Sequence, residues 1–316
     1  MIARLWLALA LLGTAAALSS AAPGDGGPRK PRRASARLAR GPDAPGGGEA
    51  AERRELAAVL SSASPYYRET YEGLRETFPD PVDLVIMSEG GAQPAGARVV
   101  VAIGSKAVLQ PYPAKSTIIG TMTLGARPRR RGFIQVASVG RPAAMVAKWK
   151  ALSPELRSIA VPYASPYWDD YVTLLRRAAG EAGLRVHAER LAGPERLPEY
   201  LRSLTGVDGL WAPPDAELIS ASSFAVLRDF ACARSMPFFI SAIGLAERGA
   251  TASIAPSYRE LGKSAAAAAV QVLAGTPPPE RVYPERLTTI LNLGAASRCR
   301  VALGPEAAGH ADTVLP

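Results

Sequence analysis

The sequence predicts an α/β protein made of two doubly wound parallel-sheet lobes joined by three crossovers. Three observations carry that expectation. From residue 55 onward, short apolar runs alternate with amphipathic stretches in β-α-β-α order. The apolar runs are continuous, as strands are when helices cover both faces of a parallel sheet. The pattern restarts near residue 143 and closes with a strand, a long helix and a lone strand, which suggests three passages between lobes.

Taken in order, Leu56–Leu60 reads as a buried strand that breaks at Ser61-Ser62-Ala63-Ser64-Pro65. A helix then runs from Tyr66 to Thr77, with Tyr67, Tyr71, Leu74 and Phe78 at helical spacing. Val82–Ile86 and Val99–Ile103 are further strands, the latter followed by Gly104-Ser105-Lys106 and a short helix through Leu109; Ser116–Thr121 is a fourth strand. In the second half, helices are expected over Ala143–Ala151, Trp168–Ala182, Pro194–Leu204 and Leu218–Ala233, and strands over Ser158–Pro162, Leu184–Glu189, Gly209–Ala212 and Pro237–Ser241. Connections of about 2 to 6 residues suit this class. At the end come a strand at Thr251–Ala255, an Ala-rich helix at Ser257–Leu273 stopped by Gly275 and Pro277-Pro278-Pro279, and a strand at Leu287–Leu291.

The chain's start has a different character. Met1–Arg4 is a short basic segment, Leu5–Leu18 a weakly polar to apolar run, and Ser19-Ser20-Ala21-Ala22 supplies small residues, the layout of a cleaved secretory signal over residues 1–21. The apolar run would reach only about 21 Å as a helix, short of a roughly 30 Å hydrocarbon core. Residues 22–54 form a Gly/Pro/Arg-rich basic tail, expected to be disordered because it has too little apolar area to offset its conformational entropy. Eight basic against four acidic residues in this tail supply +4 of the formal net charge of +9. Arg4 adds one more, so the folded part is only mildly basic and its charge does not indicate a nucleic-acid partner. Cys232 and Cys299 lie 67 positions apart, a spacing that permits a bridge without demanding one.

Several stretches resemble the substrate-binding proteins of ABC transporters with the periplasmic binding protein type I fold, in the subgroup that includes aromatic amino-acid receptors. They are Val59-Leu-Ser-Ser-Ala-Ser-Pro-Tyr-Tyr67 with Glu72-Gly73, Val101-Ala-Ile-Gly-Ser-Lys-Ala107, and Leu210-Trp-Ala-Pro-Pro-Asp215. The last group is Ile254-Ala-Pro-Ser-Tyr-Arg-Glu-Leu-Gly262, Leu273-Ala-Gly275 and Leu291-Asn-Leu-Gly-Ala-Ala296. Two departures stand out: Thr121–Arg131 replaces the Asp-Pro and Gly-rich turn common after the fourth strand, and Ala216 stands where an Asn often follows the aspartate. The resemblance implies a solute receptor that delivers a small molecule, an amino acid or a relative of one, to an ABC permease in the inner membrane. It also implies an extracytoplasmic monomer with no nucleic-acid partner and no cofactor. Lobe 1 is expected from residues 55–122 plus 250–277 and lobe 2 from 123–249 plus 278–303, with hinges near 122, 250 and 278 and a flexible tail at 304–316.

In open parallel sheets, ligands bind beyond the carboxyl ends of the strands. That rule selects Ser62, Ser64, Tyr66, Gly104, Ser105 and Thr121 from lobe 1, and Tyr163, Ser165, Tyr167, Trp168, Asp215 and Ser241 from lobe 2. Hydroxyls and loop amides can hold a polar head, and the aromatics can sandwich a flat body. Each has a plainer role open to it: Ser61–Ser64 as a helix cap, Tyr167 and Trp168 as helix packing, Asp215 as a first-turn acid. Catalysis finds little support in the sequence. His187 and His310 are the two histidines, they do not cluster with the cysteines, and no nucleophile elbow or phosphate loop follows a strand. A membrane-partnered sensor of the same architecture and an exported α/β enzyme are the alternatives. A repressor would need a DNA-binding helix pair before residue 55, which residues 22–54 cannot form.

Overall fold

The computed structural model describes residues 55–91 and 96–316. The secretory leader and the basic tail expected at 1–54 lie outside the described residues. The fold is α/β, with two sheets dominated by parallel strands.

The first sheet is built from β1 (Leu56–Leu60), β2 (Asp83–Ile86), β3 (Val99–Ile103), β4 (Thr117–Thr121) and β5 (Phe133–Val136), with helices α1 (Pro65–Thr77) and α2 (Ser105–Val108) between them. The second sheet takes β6 (Ser158–Tyr163), β7 (Arg185–Arg190), β8 (Gly209–Ala212), β9 (Phe238–Ile240) and β10 (Ala252–Ala255). Between these strands run α3 (Pro142–Leu152), α4 (Asp169–Glu181), α5 (Leu197–Ser203) and α6 (Ala221–Ala233), α3 preceding β6. The chain then forms α7 (Tyr258–Leu273), β11 (Arg281–Val282), β12 (Thr288–Asn292), α8 (Leu293–Arg298) and β13 (Thr313–Leu315).

Strand order is β11-β5-β4-β3-β1-β2 in the first sheet and β13-β12-β10-β9-β8-β6-β7 in the second. Each begins with the doubly wound order 2-1-3-4-5, which creates a switch point between the first and third strands. In the first sheet this lies between β1 and β3, and in the second between β6 and β8. Pairing is parallel throughout the first sheet. In the second, β10 and β12 run antiparallel.

The central strands are apolar because both faces are covered. Leu56–Leu60 and Val99–Ile103 are buried at every position. Leu56, Val101 and Ile119 face α1 and α7, whereas Val59, Val100 and Ile118 face the α2 side. In the second sheet, Ile159, Trp211 and Phe239 pack with Trp149 and Tyr171 of α3 and α4, and Leu210 and Phe238 with Leu201 and Leu227 of α5 and α6. Edge strands break the rule: in β7, Arg-Val-His-Ala-Glu-Arg leaves its alternate positions exposed.

The passages between sheets fall after Val136, after Ala255 and after Val282, against hinges expected near residues 122, 250 and 278. The expected lobe boundaries are corrected accordingly. Phe133–Val136 follows Pro128-Arg-Arg-Arg-Gly132 and acquires strand structure by pairing with β4, Ile118 against Phe133. Residues 252–255 add to the second sheet, Ala252 pairing with Phe239 of β9. Only beyond Pro256 does α7 cross to the first sheet, where it packs on α1 so closely that a Cβ on Gly262 would overlap the Thr70 backbone. The segment 304–316, expected as a flexible tail, is also corrected: β13 pairs parallel to β12, and Asp312 Oδ2 accepts from Thr289 N at 2.8 Å. Cys232 at the end of α6 is disulfide-bonded to Cys299 at the end of α8, with Cα atoms 4.6 Å apart. No described helix is long and apolar enough to cross a membrane.

Candidate functional site

Each switch point is filled by the protein's own polar groups. In the first sheet, Ser61 Oγ accepts from the Ala107 N–H at 2.9 Å, bridging the loop after β1 to α2. Gly104, at φ 95°, leaves room there; a Cβ would stand 2.5 Å from Ser61 Oγ and 2.7 Å from Tyr67 Oη. The ring of Tyr67 therefore lies over a glycine. Ser105 Oγ donates to the Thr123 carbonyl at 2.6 Å and ties α2 to the loop after β4.

The second sheet uses Asp215, which is 1 % exposed. Its Oδ2 accepts from Ala164 N at 2.7 Å and Ser165 N at 2.9 Å, and its Oδ1 from Glu217 N at 2.9 Å. Three backbone donors satisfy the charge and fix the loops after β6 and β8 to one another. Beside them, Trp211 Nε1 donates to Ser241 Oγ at 3.1 Å, and Tyr163 Oη donates to Asp169 Oδ1 at 3.0 Å. Tyr167 stands edge-on to Trp168 with ring centres 5.1 Å apart, and the Arg281 guanidinium lies 5.1 Å from the Tyr167 ring centre.

Between the two sets of loops is a cavity of ≈160 Å³. Tyr67, Met122 and Leu124 line it from the first sheet's loops, Pro214, Ser241, Ala242 and Ile243 from the second's. The crossover residues Ser138, Ala255 and Pro256, with Tyr258 and Leu261 of α7, close its back. A smaller recess shares Leu124, Ser138 and Pro214 and extends to Thr123, Gly125, Gln135, Tyr167 and Trp168. Met122 at φ 55° and Leu124 at φ 47° are both left-handed, a conformation that costs non-glycine residues about 1–3 kcal/mol and is concentrated at functional sites. Burial pushes the Tyr67, Tyr167 and Tyr258 phenols above their ordinary pKa, so the walls stay neutral. Two larger hollows, of ≈710 Å³ along Leu109–Ala114 and Arg127–Arg131 and of ≈540 Å³ beside α7 and Pro278–Glu285, share no lining residue with the cavity or its recess.

Of the residues expected to contact a ligand, Ser241 lines the cavity, and Tyr167 and Trp168 line its recess. Thr121 lies fully buried immediately before Met122. Ser64 caps α1 by accepting from Tyr67 N, Ser62 lies in the turn before it, and Tyr66 is exposed against the Tyr258 ring at 4.9 Å. Gly104, Ser105, Tyr163, Ser165 and Asp215 shape the supporting loops described above. Residues not picked from the sequence also form the walls: Tyr67, Leu124, Ser138, Ile243 and Tyr258 among them. Its place inside the Ile254–Gly262 motif was the available signal for Tyr258.

Two doubly wound sheets joined by three passages, with a cavity between their strand-end loops, define a two-lobed binding protein of the periplasmic type I fold. The sequence matches the family described as ABC transporter substrate binding protein over residues 143–314, more than half of the chain. The chain belongs to that family, a class of solute-binding receptors rather than of enzymes. No curated protein sequence matches it significantly. Among solved structures it is similar to an ABC domain in complex with L-Trp from Streptococcus pneumonia (20% identity, TM-score 0.55, covering 82% of this chain and 100% of that one). Another is a conserved domain protein from Vibrio cholerae (16%, TM-score 0.56, 83% and 100%). A third is a ligand-free, open substrate-binding protein with adhesive properties from Clostridium difficile (16%, TM-score 0.55, 83% and 99%).

Proposed function

We propose that this chain is an extracytoplasmic receptor that traps a small solute between its lobes and presents the closed form to an ABC permease in the membrane. The observation that carries this reading is the cavity itself, walled by strand-end loops of both sheets and backed by the passages between them. A ligand there touches both lobes at once, so its binding energy favours closure about the hinges. The Cys232–Cys299 disulfide fits an oxidising compartment, in keeping with the leader read at residues 1–21. The receptor acts as a monomer, and the family's permease is the partner that reads closure.

A melt screen of the chain against amino acids, peptides, sugars, nucleosides, carboxylates and uncharged aromatics tests the proposal. A solute at one hundred times its dissociation constant adds about 2.7 kcal/mol of stability. One reproducible class of stabilising solutes is expected. A flat response across all classes would overturn the receptor reading.

A further inference from the structure

The cavity and its recess contain no charged side chain among their lining residues. Their polar groups are neutral: hydroxyls of Tyr67, Ser138, Ser241 and Tyr258 in the cavity, with Thr123 and the Gln135 amide in the recess. Some of this capacity is already used, since Ser241 Oγ accepts from Trp211, and Gln135 Nε2 donates to Thr123 Oγ1 at 2.9 Å.

Charged groups outside the lining make contacts of their own. Asp215 is buried beneath three backbone N–H groups. Arg127 pairs with Glu280 at 2.6 Å, and Arg281 lies over the Tyr167 ring. At the start of α7, where the cavity meets Tyr258, Ser257 caps the Glu260 N–H, and Glu260 itself adds a negative charge to the first turn. A zwitterion placed here would lose the hydration of both its ends and find no charged side chain among the residues that line the cavity and its recess.

Resting on the receptor reading above, we propose that the solute is uncharged and largely apolar, about one aromatic ring in size, with one or two hydrogen-bonding groups that meet Ser138 and Ser241. The volume agrees: a cavity of about 150 Å³ lined by apolar side chains takes benzene, and this one is ≈160 Å³. The apolar walls contributed by Met122, Leu124, Pro214 and Ile243 reward removal of an apolar surface from water. The neutral hydroxyls orient it without demanding a counter-charge.

Matched pairs of probes test the charge directly, with the full chain titrated calorimetrically and in melts. Indole is compared with L-tryptophan, and p-cresol with L-tyrosine. The uncharged member of each pair is expected to bind at least tenfold more tightly than the amino acid. Equal affinity, or preference for the zwitterion, would overturn the ligand class while leaving the receptor standing. Failure of both members, together with a flat melt screen, would overturn both. Ala242→Phe, which fills the cavity, is expected to remove the indole response; an undiminished response in a variant that still melts cooperatively would place binding elsewhere and sink the proposal.

Discussion

The carboxylate of Asp215 accepts a hydrogen bond from the Ser165 backbone N–H at 2.9 Å, across the switch point of the second sheet. Ala164 and Glu217 donate to the same carboxylate, so one buried side chain holds the loops after β6 and β8 together. Asp215→Ala would strand three backbone donors, at about 1–3 kcal/mol for each one left buried and unpaired. A loss of about 3 kcal/mol or more is expected in urea unfolding, with Asp215→Asn losing less because its amide oxygen still accepts. A neutral Asp215→Ala would show that water or movement replaces these bonds at no cost.

Gly104 is the corresponding point in the first sheet. An alanine there must resolve contacts at 2.5 Å with Ser61 Oγ and 2.7 Å with Tyr67 Oη while holding φ near 95°. Gly104→Ala is expected to cost about 2 kcal/mol, from strain and from displacement of neighbouring groups. Because Tyr67 is part of the cavity wall, the same variant should weaken ligand binding several-fold. Unchanged stability and affinity by denaturation and calorimetry would contradict this account of the wall.

The Cys232–Cys299 bond joins the ends of α6 and α8 and closes a loop of 67 residues. Loop-closure entropy for that length corresponds to about 4 kcal/mol of stabilisation. Denaturation with and without reductant should differ by roughly that amount. A difference under about 1 kcal/mol would mean that the unfolded chain is already held compact.

Alkaline pH should unfold the protein through its tyrosines. Burial raises the phenols of Tyr67, Tyr163, Tyr167, Tyr171 and Tyr258, so the native state holds these protons more tightly than the unfolded chain. The linked stability is fully present below the unfolded tyrosine pKa of about 10 and is lost as pH rises through the higher folded values. Melting temperature is expected to hold steady from about pH 7 to 9 and to fall beyond about 10. The cavity tyrosines stay neutral across the lower range, so the affinity for an uncharged probe should also be flat from about pH 5 to 9. A bend within that window, measured by calorimetry, would point to an ionising wall residue.

Much of the architecture was legible because burial on both faces leaves a simple trace. Val99–Ile103 and Gly209–Ala212 are unbroken apolar runs bounded by polar or turn-forming residues, and both are strands over those same bounds. Phe133–Val136, Arg281–Val282 and Thr313–Leu315 left no such trace, since each is short and is stabilised by its sheet neighbour. Missing them shifted the lobe boundaries. At the site, Ser241 could be found because it directly follows β9, and Tyr167 because it lies in the loop after β6. Tyr258 could not be found this way, because it opens a helix that returns from the other sheet. Asp215 shows the opposite limit: its position after a strand suggests ligand contact, but amides some fifty residues earlier in the chain reach it only in the fold.

Closure around a bound solute is the central claim, and small-angle X-ray scattering reads it most directly. The chain would be measured alone and saturated with the solute that stabilises it most in the melt screen, with calorimetry confirming occupancy. A smaller radius of gyration in the bound state is the expected result. An unchanged radius at full occupancy would contradict a receptor that clamps its ligand between two lobes.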